Sequence, residues 1–495
     1  TPTDGLTIQM NGDLSFNDSS TITVKIKSED FTGEKLTTLD VALIEDSTIE
    51  GIFRVSAEDL DAAINTAGVS GYEAIIVLVD GTEMASVELL PTPTNGDDLL
   101  VGTSGDDTIA ALGGDDVIKG QGGNDVIDGG DGFDQIAFTS NTASVTVDLS
   151  AGTAVGADSG NDTFTNIEGV IGSNFDDTLT GDANSNSFVG LGGNDTIDGG
   201  DGSDWVWYGH STDGVTIDLS TGTASSTSGG NDTLTNIEEV HGSNFADTIT
   251  GDAKENWFYP DNLGDSSAPA STVGSSDTID GGAGDNDTLS YWGTKYSQGT
   301  SLNGVTVDLS AGTAIDPAGN TDTISNIDDI QGTAVADTLK GSDGDNILYG
   351  DGGSDTLTGG DGKDIFSFGN GQYWHTSITS SSDGDTITDF TPDDDKLKFD
   401  ANILVASGGS VELVSASNFD GGDKVISDIA DNITAANFSS LPAFSGGKGA
   451  LAYATDTGKV FYSADGNFTS GTAVVATLTG SPTLAADNFS FYNAP

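Results

Sequence analysis

Gly120-Gln121-Gly122-Gly123-Asn124-Asp125-Val126-Ile127-Asp128 is followed at once by Gly129-Gly130-Asp131-Gly132-Phe133-Asp134-Gln135-Ile136-Ala137. Working outward, an Asp recurs every nine residues at Asp98, Asp107, Asp116, Asp125 and Asp134. Two places after each stands an aliphatic residue: Leu100, Ile109, Ile118, Ile127 and Ile136. Two places before stands Gly105, Gly114, Gly123 or Gly132. A period held in phase over consecutive units marks a solenoid rather than an acidic linker. A glycine-rich turn followed by a short strand makes half a coil of a right-handed parallel β-roll. Glycine permits the positive φ of a tight turn. The aliphatic residue points inward and stacks on its copies in neighbouring coils.

The same phase returns further on. Asp177, Asn186, Asp195 and Asp204 keep it, with Gly193 and Gly202 in the turns. So do Asp337, Asn346, Asp355 and Asp364, with Gly353 and Gly362. A third tract starts at Asp247 and Asn256, is interrupted over 260–274, resumes at Asp277 and slips by one residue at Asn286-Asp287. Each carboxylate, with turn carbonyls, is expected to face the next turn. Hard oxygen donors in a flexible cage suit Ca²⁺ better than Mg²⁺, which demands tighter octahedral geometry. The expected metal-site residues are thus Asp98, Asp107, Asp116, Asp125, Asp134, Asp177, Asp195, Asp204, Asp247, Asp277, Asp337, Asp355, Asp364 and Asp385. The turn glycines Gly114, Gly123, Gly132, Gly193, Gly202, Gly353 and Gly362 belong with them. Asn at the ligand place keeps a carbonyl oxygen but weakens the site. Several Ca²⁺ ions per chain are expected, and without them the stacked carboxylates repel.

This pattern resembles the nonapeptide of the RTX (hemolysin-type calcium-binding) family. The resemblance implies a secreted bacterial protein that folds on meeting extracellular calcium. It also implies that Asp385-Thr386-Ile387-Thr388-Asp389-Phe390 and the apolar strands up to Phe489-Ser490-Phe491-Tyr492 form the exit from the roll. That region would carry an uncleaved signal for the type I secretion apparatus.

A longer unit separates the tracts. It opens as Val145-Thr146-Val147-Asp148-Leu149-Ser150, Val215-Thr216-Ile217-Asp218-Leu219-Ser220 and Val305-Thr306-Val307-Asp308-Leu309-Ser310, and ends near Asn166-Ile167-Glu168, Asn236-Ile237-Glu238 and Asn326-Ile327-Asp328. These read as wider coils that close one stack and open the next. The expected architecture is all-β and has three parts. Residues 1–93 form a β-sandwich, immunoglobulin-like, with a hairpin at Asp80-Gly81 and a short helix over 57–66. Residues 94–390 form the calcium-binding roll, and 391–495 a β-rich cap with the secretion signal.

Composition narrows the function. Fourteen Lys and Arg face 79 Asp and Glu, a net charge of −65. Such a chain repels phosphate backbones and anionic lipid heads, which argues against nucleic-acid binding and membrane docking. With no Cys, thiolate chemistry is excluded. His210, His241 and His375 lie in different coils, and neither His-Glu-x-x-His nor Gly-x-Ser-x-Gly occurs. A non-enzymatic subunit of an extracellular surface layer or filament, self-associating at the bacterial cell surface, is the first expectation. The alternative is a calcium-dependent adhesin for surface polysaccharide. Its contact surface would be Trp205, Trp207 and Tyr208 with Trp257, Phe258 and Tyr259, unless those rings pack beneath 260–274.

Overall fold

The structure is a computed structural model. It describes backbone over residues 6–9, 22–30, 33–39, 44–45, 52–55, 74–79, 82–88, 93–260, 275–284, 286–292, 303–368, 384–400, 450–454, 458–463, 472–482, 484 and 488–492. The helix expected over 57–66 and most of the 260–274 interruption lie outside the described residues. Among the described residues every extended element is a β-strand. The chain divides into two compact units, Thr1–Trp205 with Gly229–Asn236, and Val206–Ser228 with Ile237–Pro495.

The first unit opens with two antiparallel sheets. One orders Leu6–Gln9, Ile52–Val55 and Ile44–Glu45; the other orders Gly33–Leu39, Ile22–Asp30, Ala74–Val79 and Thr82–Glu88. Val79 stands opposite Thr82 in the last two strands, while Asp80 and Gly81, where the hairpin turn was expected, lie outside the described residues. The roll follows. Leu99–Val101, Val117–Lys119, Gln135–Ala137, Gly169–Ile171 and Ser187–Val189 form one parallel sheet. Thr108–Ala110, Val126–Asp128 and Gly160–Thr165 form part of the opposite face. The register explains the nine-residue period. Successive nonapeptides alternate between the faces, so like residues meet eighteen apart: Leu100 against Ile118, and Ile118 against Ile136.

The usual three-residue strand buries its middle side chain, and in many the outer two face outward, as in Thr108-Ile109-Ala110. The aliphatic ladder is therefore the core. Leu100, Ile118, Ile136, Val170 and Phe188 are all essentially inaccessible. In the second unit Val240, Phe258, Leu289, Ile330, Leu348, Phe366 and Leu397 repeat the arrangement along one parallel sheet. That sheet extends through Lys396–Asp400 to Phe489–Tyr492, and Thr472–Leu478 pairs parallel with Asp385–Ile387. Phe399 lies between Phe368 and Phe489, with ring centroids 5.0 and 6.4 Å away.

The wider unit is a reversal. Val145–Asp148, Thr153–Gly156 and Gly160–Thr165 form an antiparallel meander. Its last strand pairs with the preceding tract at Val126–Asp128, and its first with the following tract at Thr178–Thr180. Thr306–Asp308, Thr313–Ile315 and Thr321–Ser325 do the same in the second unit. Its recurring motifs have local causes. Asn166, Asn236 and Asn326 sit at φ of 51–54°, a region Asn tolerates. Their side-chain amides donate to Asp128, Asp198 and Asp280 at 2.7–2.8 Å. In each Asp-Leu-Ser, the Ser hydroxyl donates back to the Asp carboxylate at 2.6–2.7 Å.

Because the ladder is the core, Ile118→Ala is expected to cost about 2–5 kcal/mol. Val126→Ala, on the outward face of its strand at 54% exposure, should stay within about 0.5 kcal/mol. Denaturant unfolding in saturating calcium measures both, and equal costs would contradict the assigned core.

Candidate metal centre

Each ladder Asp sits at the last place of its turn, just before the strand, and one carboxylate oxygen has a fixed task. It accepts the backbone N–H of the equivalent residue one coil back. Asp98 N–H donates to Asp116 Oδ1 at 2.7 Å, and Asp116 N–H to Asp134 at 2.9 Å. On the other edge Asp107 donates to Asp125, and Asp125 to Asp162. The series repeats from Asp177 to Asp195 and Asp232, and from Asn186 to Asp204. In the second unit it runs from Asp247 to Asp277 and Asp322, from Asn256 to Asp287, from Asp337 to Asp355 and Asp385, and from Asn346 to Asp364 and Asp395. The meander joins the ladder as well: Val145, Val215 and Val305 donate to Asp177, Asp247 and Asp337. Glu168 accepts from Asp134 at 2.9 Å. These side chains are consequently buried, Asp116, Asp125, Asp134, Asp195, Asp355 and Asp364 to within 2% of full burial.

The other oxygen is the informative one. Oδ2 of Asp116, Asp125, Asp134, Asp195, Asp277, Asp287, Asp355 and Asp364 is buried and meets no hydrogen-bond donor. A buried anionic oxygen without a donor is costly, and repetition at equivalent turns makes it a design feature. Space beside it is kept by glycine. A Cβ at Gly120, Gly129, Gly190, Gly350 or Gly359 would run into the Oδ2 five residues on. The flanking turns are held open by the expected glycines: Gly114, Gly123, Gly132, Gly193, Gly202, Gly353 and Gly362 have φ between 110° and 143°. These residues fit a hard cation. Among the described residues, no group of three or more His, Asp or Glu stands together to hold a metal. Each turn thus offers one carboxylate oxygen, and backbone carbonyls would complete the shell, as suits Ca²⁺.

Asp98, Asp107, Asp177, Asp247 and Asp337 take part in the same ladder, but Oδ2 of each meets a donor, and in Asp177, Asp247 and Asp337 so does Oδ1. The Oδ2 donor is a residue four places earlier: Thr94, Thr103, Ser173, Ser243 and Thr333, each N–H at 2.6 Å. Asp385 serves as acceptor for Asp355 at 3.0 Å. Asp287 was hidden by the one-residue slip; only its place in the ladder reveals it. The meander acceptors Asp162, Asp232 and Asp322 lie off the nonapeptide phase and carried no periodic signal.

Charge follows from burial. Without a cation, burial first, and then neighbouring carboxylates, push Asp125 and Asp134 up to about 6, Asp287 and Asp364 to about 7, and Asp195 and Asp277 to about 8. Asp355 is raised by burial and by the facing charge of Asp385. Groups raised in the folded state favour folding below the ordinary carboxylate value of about 4, and that contribution is lost as pH rises through the raised values. The chelated chain is therefore expected to hold more β-structure by circular dichroism at about pH 5 than at about pH 8. Saturating calcium should abolish the difference. A chelated chain whose β-signal grows toward alkaline pH would contradict this electrostatic account.

Among the described residues, His210 and His241 join no metal-holding group of three or more His, Asp or Glu. His241 stacks on Tyr259 with centroids 4.2 Å apart, and burial lowers its pKa to about 4. Beside His210, the Ser211 hydroxyl bonds Ser228 and the Asp213 carbonyl, each at 2.8 Å. His375 lies outside the described residues.

Comparison with protein families gives four matches to the RTX calcium-binding nonapeptide repeat, over residues 94–118, 101–136, 171–206 and 331–366. No curated protein matches the chain. The tract with Asp277 and Asp287 lies outside those residues and carries the same buried, donorless oxygens. The tracts over 94–136, 171–206 and 331–366 are RTX-type calcium-binding nonapeptide repeats.

Proposed function

We propose that this chain is a secreted structural protein whose roll folds when calcium enters its turns, and that the calcium-loaded chain is a subunit of an extracellular assembly, a surface layer or filament. The observation that carries the calcium part is the recurrence of buried Oδ2 atoms without donors at equivalent turns. An ion that binds only the folded chain adds its binding free energy to stability. Extracellular sites work at about 10⁻⁴–10⁻³ M calcium, so folding is withheld inside the cell and released outside. That timing suits export of an unfolded chain through a type I apparatus.

The assembly part rests on charge. At −65, copies of this chain repel one another. Calcium removes part of that repulsion while it fixes the coils, so folding and association share one trigger. No helix among the described residues is long and apolar enough to cross a membrane. A second reading, a calcium-dependent adhesin for polysaccharide, draws on the outward aromatics. Trp205 and Trp207 are each partly exposed, Trp205 stacks on Phe133 at 5.0 Å, and Trp257 lies 6.4 Å from Tyr349. A flat ring left partly exposed on either unit suits a sugar face.

Sedimentation velocity in chelator and across a calcium titration separates the two. Large species that form with calcium and dissolve with chelator are expected. A chain that gains structure with calcium yet stays monomeric at every concentration would overturn the assembly reading and favour the adhesin.

A further inference from the structure

Apart from the slipped turn ending at Asp287, whose left-handed residues are Gly282 and Asn286, the described turns that end in a ladder residue follow two local grammars, and the residue four places before the ladder position decides which. In the open kind that residue is left-handed: Leu112 at φ 80°, Gln121 and Leu191 at 68°, Asp351 at 56°, Gly130 at 109° and Gly360 at 108°. A left-handed glycine follows two places on, as at Gly114, Gly123 and Gly193. These turns end in Asp116, Asp125, Asp195, Asp355, Asp134 and Asp364, and Oδ2 of each meets no donor.

In the closed kind neither place is left-handed. The residue four back is Thr, Ser or Asp, and its N–H donates to the ladder side chain. Thr103 reaches Asp107, Ser173 reaches Asp177, Ser243 reaches Asp247 and Thr333 reaches Asp337, all at 2.6 Å. Their hydroxyls donate to the same carboxylates at 2.8–3.0 Å. Each hydroxyl also receives the N–H two residues on, which fixes the loop. A peptide N–H and a hydroxyl thus give the carboxylate what a cation gives it in the open turn.

Asn occupies the ladder position only in closed turns. Asn186, Asn256 and Asn346 accept the N–H of Asp182, Asp252 and Ser342 at 2.7–2.8 Å. A neutral amide suffices where donors surround it; the described open turns all carry a charge. The kinds are also ordered. Two closed turns begin each tract, ending at 98 and 107, 177 and 186, 247 and 256, and 337 and 346, and the donorless carboxylates come after them.

We infer that only the open turns take Ca²⁺, and that the paired closed turns at the head of each tract form an ion-independent first coil on which the calcium-dependent coils stack. The inference rests on the calcium reading above and divides its sites. Asp107, Asp177, Asp247 and Asp337, read from the period as ligands, are then structural acceptors.

Calcium stoichiometry of the full chain, by equilibrium dialysis, tests it. Asp177→Asn and Asp337→Asn, in closed turns, are expected to keep the ion count of the unsubstituted chain. Asp195→Asn and Asp355→Asn, in open turns, should each lose at least one ion. A gain-of-closure variant guards against misfolding: Leu191→Thr with Gly192→Ser rewrites the turn ending at Asp195 to match Gly102-Thr103-Ser104-Gly105. It should lose an ion while Asp195 stays in place. Equal loss in closed-turn and open-turn variants, or a rewritten turn with an undiminished count, overturns the division. An unsubstituted chain that binds no calcium fails the underlying reading instead.

Discussion

One buried carboxylate with two unlike oxygens organises this protein. The first oxygen accepts a peptide N–H from one coil back, which sets the coil-to-coil step. The second faces a space kept clear by glycine and meets no donor in the open turns. Aliphatic stacking gives the coils a core, but each half-coil adds only a few buried apolar side chains to it. A core so thin cannot also bear a row of uncompensated anions. On the function proposed above, the cation is part of the fold rather than a passenger on it.

Much of this was legible from residue order. The nine-residue recurrence of Asp, and of an aliphatic residue two places later, implied inward stacking and a turn-borne oxygen site. The positive φ at Gly114, Gly123 and Gly132 follows from the same spacing. Other features were not legible, for physical reasons. The meander between tracts pairs its last strand backward and its first strand forward, and alternation of side chains says nothing about strand order. Asp287 escaped because a single inserted residue breaks the phase without breaking the ladder. The closed turns escaped because periodicity registers the Asp, whereas its hydrogen-bond partner is set by the residue four places earlier.

The same logic connects folding to place and assembly. A chain with so few basic residues cannot balance its carboxylates internally, and the ion pairs among described residues, such as Lys254 with Glu238 and Lys340 with Asp308, lie at partly exposed positions. Exposed pairs of this kind contribute little. Counter-charge must come from solution. On the function proposed above, calcium outside the cell would provide it in divalent form, at the turns where it would also complete the coordination of a buried oxygen.

The most direct measurement is a crystal structure grown with calcium and phased or mapped by anomalous scattering. The account requires calcium peaks about 2.3–2.6 Å from Oδ2 of Asp116, Asp125, Asp195 and Asp355. An ordered roll whose Oδ2 atoms are met by water, or by a rearranged peptide donor, would contradict it.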